Sequence, residues 1–192
     1  MLVLASKSAS RRAMLDAAGI AYEAVPADID ERGEERKAGG SFADRAAALA
    51  TAKAAAISRI RPQDWVLGSD SLAVVADRRF DKPASRAEAA EHLRFFSGKR
   101  LELHSAAALA RDGVDDWQVV ETAVLSVRDL SEDFIADYLD HEWPAISHCA
   151  GAFRIEARGV TLFEKIEGNH FTVLGMPLLP VLAALRERGL AA

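Results

Sequence analysis

Leu2-Val3-Leu4-Ala5-Ser6-Lys7-Ser8-Ala9-Ser10-Arg11-Arg12 passes from a short apolar run into hydroxyls at alternate positions and then a pair of arginines. The apolar run predicts a strand. Ala13-Met14-Leu15-Asp16-Ala17-Ala18, stopped by Gly19, predicts a helix directly after it. A strand that feeds a Ser-rich turn and a helix N-terminus gathers free backbone N–H groups and the positive end of the helix dipole at one point, which suits an anion. Guanidinium groups beside that point add fork-shaped, charge-assisted donors matched to phosphate. An ordinary serine cap with two solvated arginines on an outer helix face is the alternative reading of the same residues.

Outward from this turn, Ile20 to Val25 alternates as a strand and leads into an acidic turn, Asp28-Ile29-Asp30-Glu31. Residues 32–40 are charged and Gly-rich and are expected to form a mobile loop. Ser41-Phe42-Ala43-Asp44 resembles a capping box and opens an Ala-rich helix to about Ile57, halted before Pro62. Trp65-Val66-Leu67-Gly68 predicts a buried strand that ends in Ser69-Asp70-Ser71, before a second apolar run from Leu72 to Ala76. Ser85-Arg86-Ala87-Glu88 is a cleaner capping box, for a helix ending near Gly98. Leu101 to Ala110 and Trp117 to Val127 predict two long strands joined by a turn at Asp112-Gly113. Ser131 caps a further helix to about His141, and Pro177 fits the first turn of a last helix that closes at Gly189. Strands and helices alternate in the first half while the middle holds an antiparallel pair. The pattern predicts a mixed α/β fold rather than a clean doubly wound sheet.

The 192 residues are enough for one domain, or two joined lobes, with a proper core. Half are hydrophobic and 28% charged, and the net charge is −5, which argues against a general nucleic-acid coat or a binder of anionic membranes. A small anionic ligand in a locally basic cleft remains compatible. The single cysteine, Cys149, leaves no internal disulfide framework and fits a reducing cytosol. The N-terminus has no basic region followed by a long apolar run, and the chain lacks an apolar stretch of the roughly 18 residues needed to span a bilayer. A cytoplasmic protein is expected.

Asp70 is the carboxylate that draws attention. It lies between two serines at the end of an apolar run, where an unpartnered charge is costly. It reads either as a turn aspartate accepting backbone N–H groups or as a metal ligand or base for activating water. Lys53, in the Ala-rich helix, and Lys82, held by Pro83, read either as solvated lysines or as aimed cations. In Cys149-Ala150-Gly151-Ala152-Phe153-Arg154-Ile155-Glu156 the small residues allow backbone to approach a flat ligand. Phe153 there is either a core residue or a stacking platform, and Glu156 a carboxylate able to accept from the amino edge of a base. The five histidines show no spacing suited to zinc, and neither a P-loop lysine motif nor a GxGxxG fingerprint is present. His148 beside Cys149 reads as a thiol nucleophile or, more simply, as the neighbour of a buried thiol. Oxygen-only carboxylate ligation would suit Mg²⁺ or Mn²⁺ bridging to substrate phosphates.

Taken in order, these pieces resemble the Maf family of nucleoside triphosphate pyrophosphatases, nearly end to end. The resemblance rests on Leu4-Ala5-Ser6-Lys7-Ser8 with Arg11 and Arg12, on Ile29-Asp30-Glu31, and on Leu49-Ala50-Thr51-Ala52-Lys53-Ala54. It continues through Gly68-Ser69-Asp70, Asp81-Lys82-Pro83, Ala150-Gly151-Ala152-Phe153, Leu162-Phe163-Glu164-Lys165-Ile166-Glu167-Gly168 and Gly175-Met176-Pro177-Leu178. Each motif is weak alone, but their order is specific. The resemblance implies an elongated α/β fold related to inosine-triphosphate pyrophosphatase, residues 1–192 forming one domain with two lobes around a central cleft, often dimeric. It implies a housecleaning activity in nucleotide metabolism, release of pyrophosphate from a nucleoside triphosphate with a divalent cation, Mg²⁺ or Mn²⁺. It makes Asp70 the proton acceptor, Ser6, Arg11, Lys53 and Lys82 the phosphate contacts, and Glu31 a supporting carboxylate. Asp70 is also the candidate metal ligand. Ser10, Ser71 and Glu156 fall at positions that separate a dTTP/UTP branch from a 7-methyl-GTP branch. Glu156 matches the latter, whereas Ser10 and Ser71 match neither. Asn169 stands where the family usually has Asp. The family is also associated with septum inhibition, so a non-enzymatic regulator of cell division, or a nucleotide binder without turnover, is the competing class. Asp70 together with Lys53 and Lys82 favours an active site.

Overall fold

The computed structural model describes residues 1–191. In chain order these form β1 (Leu2–Leu4), α1 (Ala9–Ala17), β2 (Glu23–Ala24), α2 (Glu31–Ala38), α3 (Phe42–Ile60), β3 (Trp65–Val75), β4 (Arg78–Phe80) and α4 (Arg86–Phe96). There follow β5 (Arg100–Arg111), β6 (Val114–Val127), α5 (Glu132–Glu142), β7 (Phe163–Glu167), α6 (His170–Val173) and α7 (Leu178–Glu187). The strands make one sheet in the order β2-β1-β3-β5-β6-β7, with β4 added to β3. β1 runs parallel to β2 and to β3, placing Leu2 beside Trp65 and Leu4 beside Leu67. β4 is antiparallel to β3, and β7 is antiparallel to β6. This is the mixed α/β architecture expected from the sequence. No described helix is long and apolar enough to cross a membrane.

The chain divides into two compact units. The first comprises Met1–Ser71, His104–Glu121 and the segment from Asn169 onward; the second comprises Leu72–Leu103 and Thr122–Gly168. In the first unit Leu2, Leu4 and Leu67 from the sheet, Met14 and Leu15 from α1, and Val181 and Leu185 from α7 form one buried cluster. Burial of each such side chain contributes roughly 1.5–3 kcal/mol. In the second unit Phe80 packs against His92, Phe95 and Phe96 at ring distances of 5.0, 5.1 and 4.7 Å.

Local signals set several elements as the sequence predicts. Ser41 accepts from the Asp44 N–H at 3.2 Å while the Asp44 carboxylate accepts from the Ser41 N–H at 2.9 Å, a complete capping box. Ser85 and Ser131 accept likewise from the Glu88 and Phe134 N–H groups. The Glu88 carboxylate, however, takes the N–H of Ala84 rather than that of Ser85, so the second box is only half formed. Asp112 and Gly113 both adopt positive φ, 51° and 74°, the two-residue turn that matches the twist of the β5–β6 pair.

Three expectations are overturned. Residues 32–40 are not a mobile loop, because α2 occupies Glu31–Ala38. Asp30 caps it through the Gly33 N–H at 2.9 Å, Glu31 and Glu34 lie in its first turn, Arg36 and Lys37 in its last, and Lys37 bonds Glu34 at 2.7 Å. Charge placement along the helix dipole outweighs the glycine here. Second, Ser69-Asp70-Ser71 does not end a strand, since β3 runs unbroken from Trp65 to Val75. The Ser69 hydroxyl donates to the Ala106 carbonyl across the sheet at 2.8 Å, so these polar side chains are satisfied without a turn. Third, the strand expected over Ile20–Val25 shrinks to Glu23–Ala24.

Candidate active site

The opening turn folds as an anion cradle. Ser8 caps α1 by accepting the Arg11 N–H at 3.4 Å. Ser6, just past β1 and 7% exposed, accepts the Ser8 N–H and an Arg11 guanidinium N–H, both at 3.2 Å. The Arg11 Nε donates to the Gly175 carbonyl at 3.0 Å, which pins the guanidinium in place. Burial pulls the Arg11 pKa below its ordinary range, and the nearby Asp70 and Glu31 carboxylates oppose that shift. Arg12, by contrast, is exposed, and its carbonyl accepts from the Tyr22 hydroxyl.

The strand alternation of β3 sorts the residues that follow. Gly68 and Asp70 face α3, whereas Ser69 and Ser71 face Ala106, Ser105 and Gly175. On the α3 side, the Lys53 ammonium bonds Asp70 Oδ1 at 2.5 Å and Glu31 Oε1 at 2.7 Å. Lys53 and Asp70 are both buried, so neither charge is stabilised by bulk water and each depends on the other. Glu31 joins them because it is the first residue of α2, where the positive end of the helix dipole holds a carboxylate. Ser6, Arg11, Glu31, Lys53 and Asp70 thus come together within the first unit, although Ser6 and Asp70 lie far apart in the chain. Ser10 lies on α1, partly buried.

Lys82 and Glu156 belong to the second unit. Lys82 is exposed after β4, and Glu156 is exposed in a turn. Both act electrostatically on Cys149, so they share one neighbourhood. The segment carrying Glu156 is tied down by Arg154, whose Nε and Nη2 reach Glu142 at 3.0 and 2.9 Å, and by the Tyr138 hydroxyl, which donates to the Ala152 carbonyl at 3.2 Å. Phe153 is 6% exposed and packs edge-on to Phe163 at 4.9 Å, so it is a core residue and not a platform for a base. Burial, reinforced by Glu156, pushes the Cys149 thiol above its ordinary pKa, opposite to what a nucleophile requires. Cys149→Ser is therefore expected to keep the turnover of this site within about twofold of wild type, and an inactive variant would restore the thiol reading. Asn169 caps α6 through the Phe171 N–H at 2.9 Å.

Sequence reasoning missed Gly175 as the anchor for Arg11, and it missed Ser105 and Thr172 altogether. Gly175 opens the motif Gly175-Met176-Pro177-Leu178, which by itself gives the glycine no role. The only signal for Ser105 is a hydroxyl preceding an otherwise small and apolar run, Ala106 to Ala110.

Among the described residues no group of three or more His, Cys, Asp or Glu side chains is placed to hold a metal alone. Glu31 and Asp70 nevertheless present hard oxygen donors on either side of one ammonium, the ligand type that Mg²⁺ or Mn²⁺ takes.

The family model described as Maf-like protein matches residues 1–188. A 7-methyl-GTP pyrophosphatase of Rhizobium etli is 47% identical over 191 residues, which is 98% of this chain and 96% of that protein. A nucleoside triphosphate pyrophosphatase of Rhodopseudomonas palustris is 46% identical over 192 residues, 100% of this chain and 95% of its own. Among solved structures, the Ham1 protein of Staphylococcus aureus aligns with a TM-score of 0.45 at 14% identity, covering 95% of this chain and 97% of that one.

Proposed function

The chain belongs to the Maf family and is a nucleoside triphosphate pyrophosphatase, and from that premise we propose that Asp70 directs water onto the α-phosphorus of a triphosphate held by Ser6, Arg11, Lys53 and Lys82. The observation that carries this reading is the Lys53 ammonium shared between Asp70 and Glu31 beside the Ser6/Arg11 turn. Water attacks the α-phosphorus, the bond from that phosphorus to the bridging oxygen breaks, and pyrophosphate leaves with the monophosphate behind. Asp70 orients the water and accepts its proton. Lys53 keeps the Asp70 carboxylate aimed, and Arg11 holds phosphate oxygens in a fixed fork.

The cluster is electrically balanced, with Arg11 and Lys53 set against Glu31 and Asp70, so a triphosphate needs further positive charge. The family resemblance assigns part of it to Lys82. Asp70 and Glu31 are the oxygen donors that would hold Mg²⁺ or Mn²⁺, and such a cation when bound would neutralise phosphate charge and lower the pKa of bound water.

For the base we propose a preference for 7-methyl-GTP. Glu156 is exposed, and a carboxylate suits both the N–H donors of a guanine edge and a cationic methylated ring. The 47% identity to a protein of that name supports this choice. The test is pyrophosphate release with Mg²⁺ or Mn²⁺ across dTTP, UTP, CTP, GTP and 7-methyl-GTP. The expected order places 7-methyl-GTP first, and a preference for dTTP would overturn it. Glu156→Gln should lower kcat/KM for 7-methyl-GTP relative to UTP by about tenfold, the loss of one charge-assisted hydrogen bond. An unchanged ratio would remove Glu156 from base selection.

A further inference from the structure

Two serines lie near the Arg11 guanidinium, and their hydrogen bonds run in opposite directions. Ser6 Oγ receives two N–H donors, from Ser8 and from Arg11. Both of its lone-pair positions are therefore occupied, and only its O–H is left to engage a ligand. Ser71 sits in a different circuit. Its oxygen lies 2.8 Å from that of Ser105, and the Ser105 hydroxyl donates to the Thr172 carbonyl at 2.8 Å. A carbonyl only accepts, so the single proton of Ser105 is committed to Thr172. Ser105 must then take its second bond as an acceptor, which makes Ser71 the donor of the pair. The Ser71 proton is thereby spent, and its outward side carries lone pairs alone.

The direction is held firmly because Ser105 and Thr172 are fully buried, so no water can offer the Ser105 proton another acceptor. Thr172 is fixed in turn by its own hydroxyl, which donates to Glu121 at 2.5 Å. Ser71 remains partly exposed. Its proximity to the anion cradle is set by Gly175, where an added side chain would meet Ser71 Cβ at 3.8 Å and Arg11 Nη2 at 3.9 Å.

We infer that these two hydroxyls fix which end of the substrate goes where: Ser6 gives its proton to a phosphate oxygen, and Ser71, polarised by the buried Ser105, accepts a hydrogen bond from a donor on the nucleoside half. Phosphate oxygens have no proton to give, so the lone pairs of Ser71 repel them and favour an N–H of the base or an O–H of the ribose. Ser105 is a positioning residue, acting through Ser71 without touching substrate. The inference rests on the nucleotide reading above.

Its test measures binding by calorimetry in the Asp70→Asn background, where turnover does not interfere. UTP is compared with CTP, which replaces the N3–H donor by an acceptor and the O4 acceptor by an amino donor, with N3-methyl-UTP, which removes the N3–H donor alone, and with 2′-fluoro-UTP and 3′-fluoro-UTP, which replace ribose hydroxyl donors. One of these changes should weaken binding by about tenfold, and which one identifies the donor as base or ribose. Adding Ser105→Ala frees the Ser71 proton to turn outward and should shrink that penalty to below about threefold, whereas Ser105→Thr keeps the hydroxyl and the penalty. Ser71→Ala should abolish the discrimination in the same way while leaving the Ser105–Thr172 bond in place. The inference fails if no change is penalised, or if the penalty survives both Ser105→Ala and Ser71→Ala. Absence of pyrophosphate release from the wild-type enzyme with this binding pattern intact would instead overturn the proposed chemistry.

Discussion

Asp70→Asn is expected to release pyrophosphate about 10³-fold more slowly than wild type, in the range lost with a general base, while KM stays within about threefold. The substitution is nearly isosteric, and the asparagine carbonyl can still accept from Lys53, which also keeps its bond to Glu31 at 2.7 Å. The cluster therefore retains its shape. What disappears is a negative oxygen able to take a proton and to attract a cation. Thermal unfolding should move by only a few degrees, because no buried charge is left alone. Steady-state kinetics on the best nucleotide, with unfolding followed in parallel, checks both halves. Full activity in the variant would remove Asp70 from the chemistry.

Gly68→Ala should be nearly as damaging for a different reason. A methyl group at Gly68 would lie 2.1 Å from the Ala50 carbonyl oxygen and 2.6 Å from the Ala54 nitrogen, both backbone atoms of α3. Neither can swing aside, so the whole helix has to retreat by roughly 1 Å to restore ordinary contact. Lys53 lies between those two residues and moves with them, away from Asp70. Overpacking of this kind costs about 3 kcal/mol, and a misplacement of about 1 Å can cost on the order of 10² in rate. Denaturant unfolding and kcat together report the two effects. A variant with wild-type midpoint and wild-type rate would show that α3 is free to move without consequence.

The parts of this molecule that the sequence announces are those with a local cause. Ser41, Ser131 and the Asp112-Gly113 turn each satisfy their own neighbours within four residues, so their reading needs no knowledge of the fold. α2 escapes because it has no apolar stripe: its buried residues are Gly33 and Glu35, and its stability comes from its cap and its charges. β3 reads as two pieces because Ser69-Asp70-Ser71 resembles a turn, whereas each of those side chains finds its partner far away, on β5, on α3 or at Gly175. The site follows the same rule. Asp70, Lys53, Glu31, Ser6 and Arg11 are legible as residue types in order, and their meeting is a product of topology. Ser105 and Thr172 are invisible because their contribution is the direction of a hydrogen bond, which no residue type encodes.

The two faces of β3 carry a consequence for how this chain tolerates change in length. Asp70 and Gly68 serve one side of the strand, and Ser69 and Ser71 the other. Loss or gain of one residue between Trp65 and Gly68 would turn every one of them over, sending the carboxylate toward Gly175 and a hydroxyl toward Lys53. Substitution can explore this strand one position at a time, but insertion and deletion cannot. Length variation is confined to the connections at its ends, and the spacing from Trp65 to Ser71 acts as a fixed ruler.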